Sequence, residues 1–386
     1  MRGWLVIAAM LMSISLLSAQ GIDSIEYKYT PIDQGSVPQH QSSGRSSFGG
    51  IHVGENSHLS FMLAPAYTTE TSLMVGAVVN FANYRPKEKC ELPYGMAKNF
   101  DISLTASGSI SGYYDVSVNG SSDLDGQMRN RLFYGLDVKS APSRIWGTTY
   151  DTALRNSYSN YTEKLCSAWL GYTHKFTRNL LLGIMADYRL AQSRNMDDGV
   201  AALLDNQRRI STAGFSANLV YEAMYIAGNS MRAEVEAEYR PQLLGNLQND
   251  IWCFTALFDY YQPLWRGATL ALDLYGEYRP LSTPWLLQGQ LGGSSRMRGY
   301  YLGRYRGNNL LATQLEYRQH IWNGLGIAAW GGAGVAFSSE DRFAWRKVLP
   351  TYGIGLRYRI GGFTTRLDFA FGRDSFNVIL GLGEAF

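Results

Sequence analysis

Few residues in this chain are of a type and spacing that could do chemistry. Its five histidines, at 40, 52, 58, 174 and 320, are too far apart to suggest a metal cluster. The sequence holds no GxSxG turn, no HExxH helix and no glycine-rich phosphate loop. Three cysteines, Cys90, Cys166 and Cys253, lack CxxC spacing; they allow at most one disulfide, and burial or a lipid-facing place is the expectation for each. His320 shares a strand face with Glu316 and could be drawn as a base. No serine is placed beside it, so a polar residue at a strand end is the simpler reading. No metal or cofactor is therefore expected, and no enzyme.

Two groups of charged residues remain. Glu234, Glu236 and Glu238 recur at a spacing of two, as do Arg357 and Arg359, with Arg366 nearby. They could ring an ion-selective pore or pair with one another and with a docked loop. Pairing is the better expectation, because unpaired like charges repel strongly in a confined interior. The other group is the stretch Leu291 to Tyr301, LGGSSRMRGYY, an arginine motif behind a glycine-serine run. Gly292, Gly293, Ser294 and Ser295 are loop residues, yet Met297, Arg298, Gly299 and Tyr300 are too specific for an idle linker.

The elements that must position these residues follow from composition and periodicity. In 386 residues there are 26 Tyr, 41 Gly and 9 Trp, and 46% are hydrophobic, yet the mean hydropathy is only −0.17. That combination fits a membrane wall whose strands alternate apolar and polar residues. A net charge of +3 without a basic, aromatic-rich run excludes nucleic acid as the expected partner. Arg2, the apolar run Leu5 to Leu17 and the small pair Ser18-Ala19 read as a secretory signal peptide over 1–19. Residues 20–56, rich in Ser, Gly, Gln and Pro, read as a flexible periplasmic lead, and 57–386 as an outer-membrane barrel in contact with lipid.

Sixteen alternating segments can be counted, beginning near Leu59, Ser72, Phe100, Gly112, Arg129, Glu163, Asn179, Arg209, Ser230, Asp250, Gly267, Asn308, Leu325, Thr351, Thr364 and Phe376. An even set of about ten-residue strands is what an antiparallel outer-membrane barrel requires. Tyr352, Ile354, Leu356 and Tyr358 should meet lipid, while Arg357 and Arg359 line the interior. Arg366 and Asp368 should face inward too, as should Arg232, Glu234, Glu236, Glu238 and Arg240, which makes the lumen charged and wet. Short turns fall at every second connection, at Phe176 to Asn179, Trp265 to Gly267, Trp322 to Gly324 and Gly361 to Phe363. These mark the periplasmic end, so the long loop around Arg298 is external. Arg85 to Asn99 breaks the rule, being long where a short turn is expected.

Met297-Arg298-Gly299-Tyr300 resembles the (V/I/L)RG(F/Y) loop motif of the bacterial surface antigen family, the barrels of the outer-membrane protein assembly and translocation superfamily. The likeness extends in order through Asn309-Leu310-Leu311, Glu316-Tyr317-Arg318, Gly332 to Gly334, Tyr352 to Tyr358 and the ending Gly381 to Phe386. It covers about the last hundred residues. The resemblance implies that the extracellular loop folds into the lumen and that Arg298 meets an acidic residue on the wall, here Glu316. It also implies that the terminal aromatic, Phe386, is a recognition signal for barrel assembly. The sequence departs from the family where a second acid is usual, at Gly332, and at Tyr221-Glu222-Ala223-Met224 in mid-barrel. The lead is too short for the family's periplasmic polypeptide-transport domains.

The expectation is thus an all-β transmembrane barrel of about 16 strands in the outer membrane of a Gram-negative bacterium. Its expected function is non-enzymatic, assisting insertion or secretion of outer-membrane proteins with periplasmic or outer-membrane protein partners in a larger complex. A seam loosened by Gly381 and Gly383 in the last strand would be its working part. A passive diffusion channel and a structural scaffold subunit are the alternatives.

Overall fold

Period-two alternation organises nearly all of the described chain. The computed structural model describes residues 50–53, 56–85, 98–155, 157–204, 207–225, 228–338, 341–360 and 363–386. The expected signal peptide, most of the expected lead and Cys90 lie outside these residues, as does most of the turn after residue 360.

Sixteen strands form the wall. The first eight are β2 (Ser57–Thr68), β3 (Ser72–Tyr84), β4 (Lys98–Ser109), β5 (Tyr114–Asp123), β6 (Asn130–Ile145), β7 (Ser159–Lys175), β8 (Leu180–Arg194) and β9 (Arg209–Met224). The next three are β10 (Ser230–Arg240), β11 (Ile251–Pro263) and β12 (Ala268–Tyr278). After the long external loop come β15 (Asn309–Trp322), β16 (Leu325–Phe337), β17 (Leu349–Ile360), β18 (Phe363–Gly372) and β19 (Ser375–Leu382). Each pairs antiparallel with its neighbour, and β19 pairs with β2 to close the cylinder. The largest offset from the expected starts is at Glu163, where the strand already begins at Ser159. β2 begins at Ser57 and pairs with β3, so the expected first strand is present, and the long connection between Tyr84 and Lys98 falls mostly outside the described residues. The lead departs from its expected form at its end, where β1 (Gly50–His52) pairs with β2.

Side chains take the two faces that alternation assigns. On β17, Tyr352, Ile354, Leu356 and Tyr358 point outward and are exposed, whereas Arg357 is 5% exposed inside. Arg359, expected to line the interior, is exposed near the periplasmic end of the strand. The β10 ladder is paired rather than open. Arg232 bonds Glu234 at 2.5 Å, Arg240 bonds Asp187 at 2.8 Å and also Glu238, and Asn218 donates to Glu234 at 2.7 Å. Backbone groups in a lipid-facing wall have no water to turn to, which is why such a sheet closes on itself.

The interior is not wet throughout, contrary to expectation. In the external half, Trp285, Leu286 and Leu287 pack with Ile145, Tyr161, Ile210 and Ile251, while Met297, Tyr300 and Tyr305 pack with Tyr150, Leu310 and Leu349. Trp285, Leu286, Leu287, Met297, Tyr300 and Tyr305 come from the loop after β12, which turns inward to meet apolar residues at the strand ends. Strand alternation cannot report these six, because they belong to no strand of the wall.

Glycines make room for aromatic rings on the inner wall. A Cβ at Gly171 would lie 2.0 Å from the Phe133 ring, and one at Gly135 2.2 Å from Trp169. Gly171→Ala should therefore overpack this patch and destabilise the barrel by about 1 to 3 kcal/mol, read as a lower urea midpoint in detergent. Gly331→Ala, where a Cβ meets nothing within 4 Å, should leave the midpoint unchanged.

Candidate functional site: the buried loop arginine and the seam

The loop after β12 enters the lumen as a hairpin. Its arms are β13 (Gly289–Leu291) and β14 (Tyr305–Gly307), paired antiparallel. The motif sits at the tip between them, with Met297 in the left-handed region at φ 51°. The side chain of Met297 fills the space that Gly334 leaves, since a Cβ there would lie 2.7 Å from its sulfur.

Arg298 is fully buried, and so are its partners Glu316 and Asp368. One guanidinium nitrogen pairs with Glu316 on β15 and another with Asp368 on β18 at 2.8 Å, while Nε donates to Gln314 at 3.4 Å. The guanidinium carbon lies 3.6 Å from the centre of the Trp330 ring on β16, a stacked cation–π contact. Glu316 is also held by Arg318 at 2.8 Å and Arg357 at 3.3 Å. Asp368 is held by Arg357 at 2.6 Å and Arg366 at 3.6 Å. The second carboxylate absent at Gly332 is thus supplied two strands further on. Alternation put Asp368 on the inner face, but only barrel curvature brings it to the arginine. Gly353 and Gly355 open the space on β17: a Cβ at either would lie 2.3 Å from Trp330 or 2.2 Å from Asp368.

The motif backbone is held as firmly as its side chain. A Cβ at Gly299 would lie 2.3 Å from the Phe371 backbone, so only glycine permits this approach. Ser375 donates to the Gly299 carbonyl at 2.7 Å and Asn377 to the Arg298 carbonyl at 3.0 Å. The Tyr300 hydroxyl donates to Pro350 at 2.7 Å and accepts from the Arg373 amide at 2.6 Å. The loop tip is therefore tied to β17, β18 and β19, the last strands of the wall.

The seam beside it is short. β19 meets β2 at two register pairs, Ile379 with Thr68 and Leu380 with Tyr67; the next shortest junction, β18 with β19, has eight. Two local features fit this. Pro65 lies just beyond Tyr67 on β2 and lacks the amide that a continuing ladder needs. On the other side Gly383 takes φ 76° and turns its amide to Thr364 of β18 at 2.7 Å. The C-terminal residues then enter the lumen. Glu384 pairs with Arg357 at 2.7 Å, and Arg318 bonds the Phe386 carbonyl at 3.0 Å and lies 5.1 Å from its ring. Phe386 is thus off the last strand, where the terminal-signal expectation had put it; Gly381 is on β19 and Gly383 is the bend.

The loop also reaches across this seam. The Leu302 amide donates to Glu70, in the turn between β2 and β3, at 2.6 Å. Residues 298–300 thus grip one side of the junction and residue 302 the other. Burial against the loop pushes the Glu70 carboxyl up to about 7, against the pull of the Leu302 amide, Lys139 and Arg144.

Fold and site together define a closed transmembrane barrel of sixteen strands whose external loop is locked into the lumen by a buried arginine. No family model and no curated protein matches the chain. Among solved structures it is similar to BamA from Haemophilus ducreyi lacking POTRA domains 1–3, with a TM-score of 0.59 and 13% identity over 85% of this chain and 71% of that one. CdiB from Escherichia coli gives 0.60 at 12% identity, covering 86% and 64%. CdiB from Acinetobacter baumannii gives 0.57 at 10%, covering 85% and 60%. The chain therefore spans less than two thirds of either CdiB. At these identities the likeness is one of fold.

Two outcomes are expected. Four guanidiniums, of Arg298, Arg318, Arg357 and Arg366, share three carboxylates, of Glu316, Asp368 and Glu384. Glu316→Ala strands several positive charges and should cost about 3 to 5 kcal/mol. Arg298→Ala leaves the charges balanced and should cost less, though more than Ser295→Ala; urea titration of the folded barrel checks this order. For Glu70, the folded chain keeps its proton up to about pH 7, while the unfolded one releases it near 4.5. Stability should fall as pH rises between those values and level off above, and Glu70→Gln should make that slope shallower in thermal melts.

Proposed function

We propose that this protein is an outer-membrane barrel of the assembly and translocation type, a non-enzymatic subunit that assists insertion or secretion of other outer-membrane proteins. The observation that carries the reading is the seam: a two-pair junction beside a loop that is anchored by Arg298 on one side and bonded to Glu70 on the other. A wall strand with so little pairing has free backbone donors and acceptors, and such an edge accepts an incoming strand. The loop motif's resemblance to the surface antigen family supports this, as does the fold shared with BamA and CdiB. Partner proteins of the outer membrane or periplasm would supply client binding, since the described residues form a barrel and little else.

The paired lumen charges and the apolar packing at the external end speak against the passive channel. A scaffold without a working seam is separated by stapling. Tyr67→Cys with Leu380→Cys, oxidised, should lock the junction and lower the levels of other outer-membrane barrels in cells, as depletion would. Normal levels with the seam locked would count against this function.

A further inference from the structure

The β2 edge that faces the seam has two occupants. Along its other edge β2 pairs with β3 over its whole length, from Ser57 with Asn83 to Thr68 with Ser72. The remaining partners of β2 therefore lie on the seam side: β19 at Tyr67 and Thr68, and β1 at His58, Leu59 and Ser60. Between them, residues 61–66 have no strand partner on that edge among the described residues. Beside this pairing the Val53 amide donates to the Ser57 carbonyl at 3.0 Å. Its register sets Gly50 opposite Ser60, Ile51 opposite Leu59 and His52 opposite His58.

This placement has a physical reason. β19 ends at Leu382 and the chain bends into the lumen at Gly383, so the periplasmic half of β2 loses the neighbour that would complete its ladder. Unpaired backbone groups in a membrane wall are costly. A strand of three residues supplies partners to His58, Leu59 and Ser60 alone, so it holds few bonds and is readily exchanged for a longer one.

We propose that β1 is a resident edge strand: the chain closes the periplasmic half of its own seam by strand addition, and β1 must leave before that stretch of β2 can take a strand from another polypeptide. The proposal rests on the reading of the seam as the place where clients engage. β1 is then an autoinhibitory contact built from the segment just ahead of the barrel.

The test uses the full chain in detergent, with a photo-crosslinking amino acid at Leu63 and a biotinylated peptide copying residues 46–53 as the incoming strand. The Val53 to Ser57 bond makes the Ile51–Leu59 pair hydrogen-bonded and His52–His58 the close, non-bonded pair suited to a disulfide. Oxidised His52→Cys/His58→Cys should lose peptide capture, and reduction should restore it. Ile51→Pro removes one backbone donor of β1 and should raise capture about fivefold, the worth of one hydrogen bond. Equal capture in the oxidised, reduced and proline variants would overturn the proposal. Capture is read without any biogenesis assay, so it decides the role of β1 even if the Tyr67 to Leu380 staple leaves client levels unchanged and the seam reading fails.

Discussion

A guanidinium buried away from water inside a membrane barrel is the constraint around which the last third of this protein is arranged. Arg298 has no exposed surface, and an uncompensated charge in such a place would be destabilising by several kcal/mol. Its neutralisation draws on Glu316 from one strand, Asp368 from another and the Trp330 ring from a third. These carboxylates in turn hold Arg318 and Arg357, which bind the C-terminal residues Glu384 and Phe386. The loop tip, the wall from β15 to β18 and the chain end thus belong to one ion network. None of its members can move alone without exposing a charge to a low-dielectric interior.

That network lies against the weakest line of the wall. β19 and β2 share two register pairs, and the loop covers their external end with bonds to both sides, through Ser375 and Asn377 on β19 and Glu70 after β2. At the other end β1 covers the edge of β2. The seam is therefore closed mainly by a loop and a short strand, elements that separate at lower cost than a full ladder. The loop is held by Arg298 and its carboxylates on one side, and by the Leu302–Glu70 bond and the packing of Tyr301 on Trp146 and Arg144 on the other.

Much of this was legible in the residues themselves. Tyr352, Ile354 and Leu356 set against Arg357 located one strand and both its faces, and the same pattern located the other fifteen. Glu316 was assigned to Arg298 because parity put it inside and the motif demanded an acid. Asp368 was placed on the correct face but not in the site, since its distance from Arg298 depends on how far the wall curves over three strands. Trp330, the inward residue next to Gly332, carries no local sign that it stacks on Arg298, because that contact joins the loop to a strand of the wall. Pro65 was a readable signal for the short seam. Glu70 offered none: its bond to Leu302 joins residues 232 apart.

The sequence by itself determined what local periodicity encodes: sixteen strands, their faces, the two ends of the barrel and an arginine motif that needs a carboxylate. The strands, faces and ends follow from alternation and turn chemistry, which act between neighbours in the chain; the carboxylate for the arginine motif is what the family resemblance implies. Only the tertiary structure decided that Asp368 replaces the missing second acid, that apolar loops fill the external lumen, that Phe386 turns inside and that β1 shares the seam edge with β19. Each of these depends on distances across the closed barrel, and closure is a property of the whole sheet that no stretch of residues carries alone.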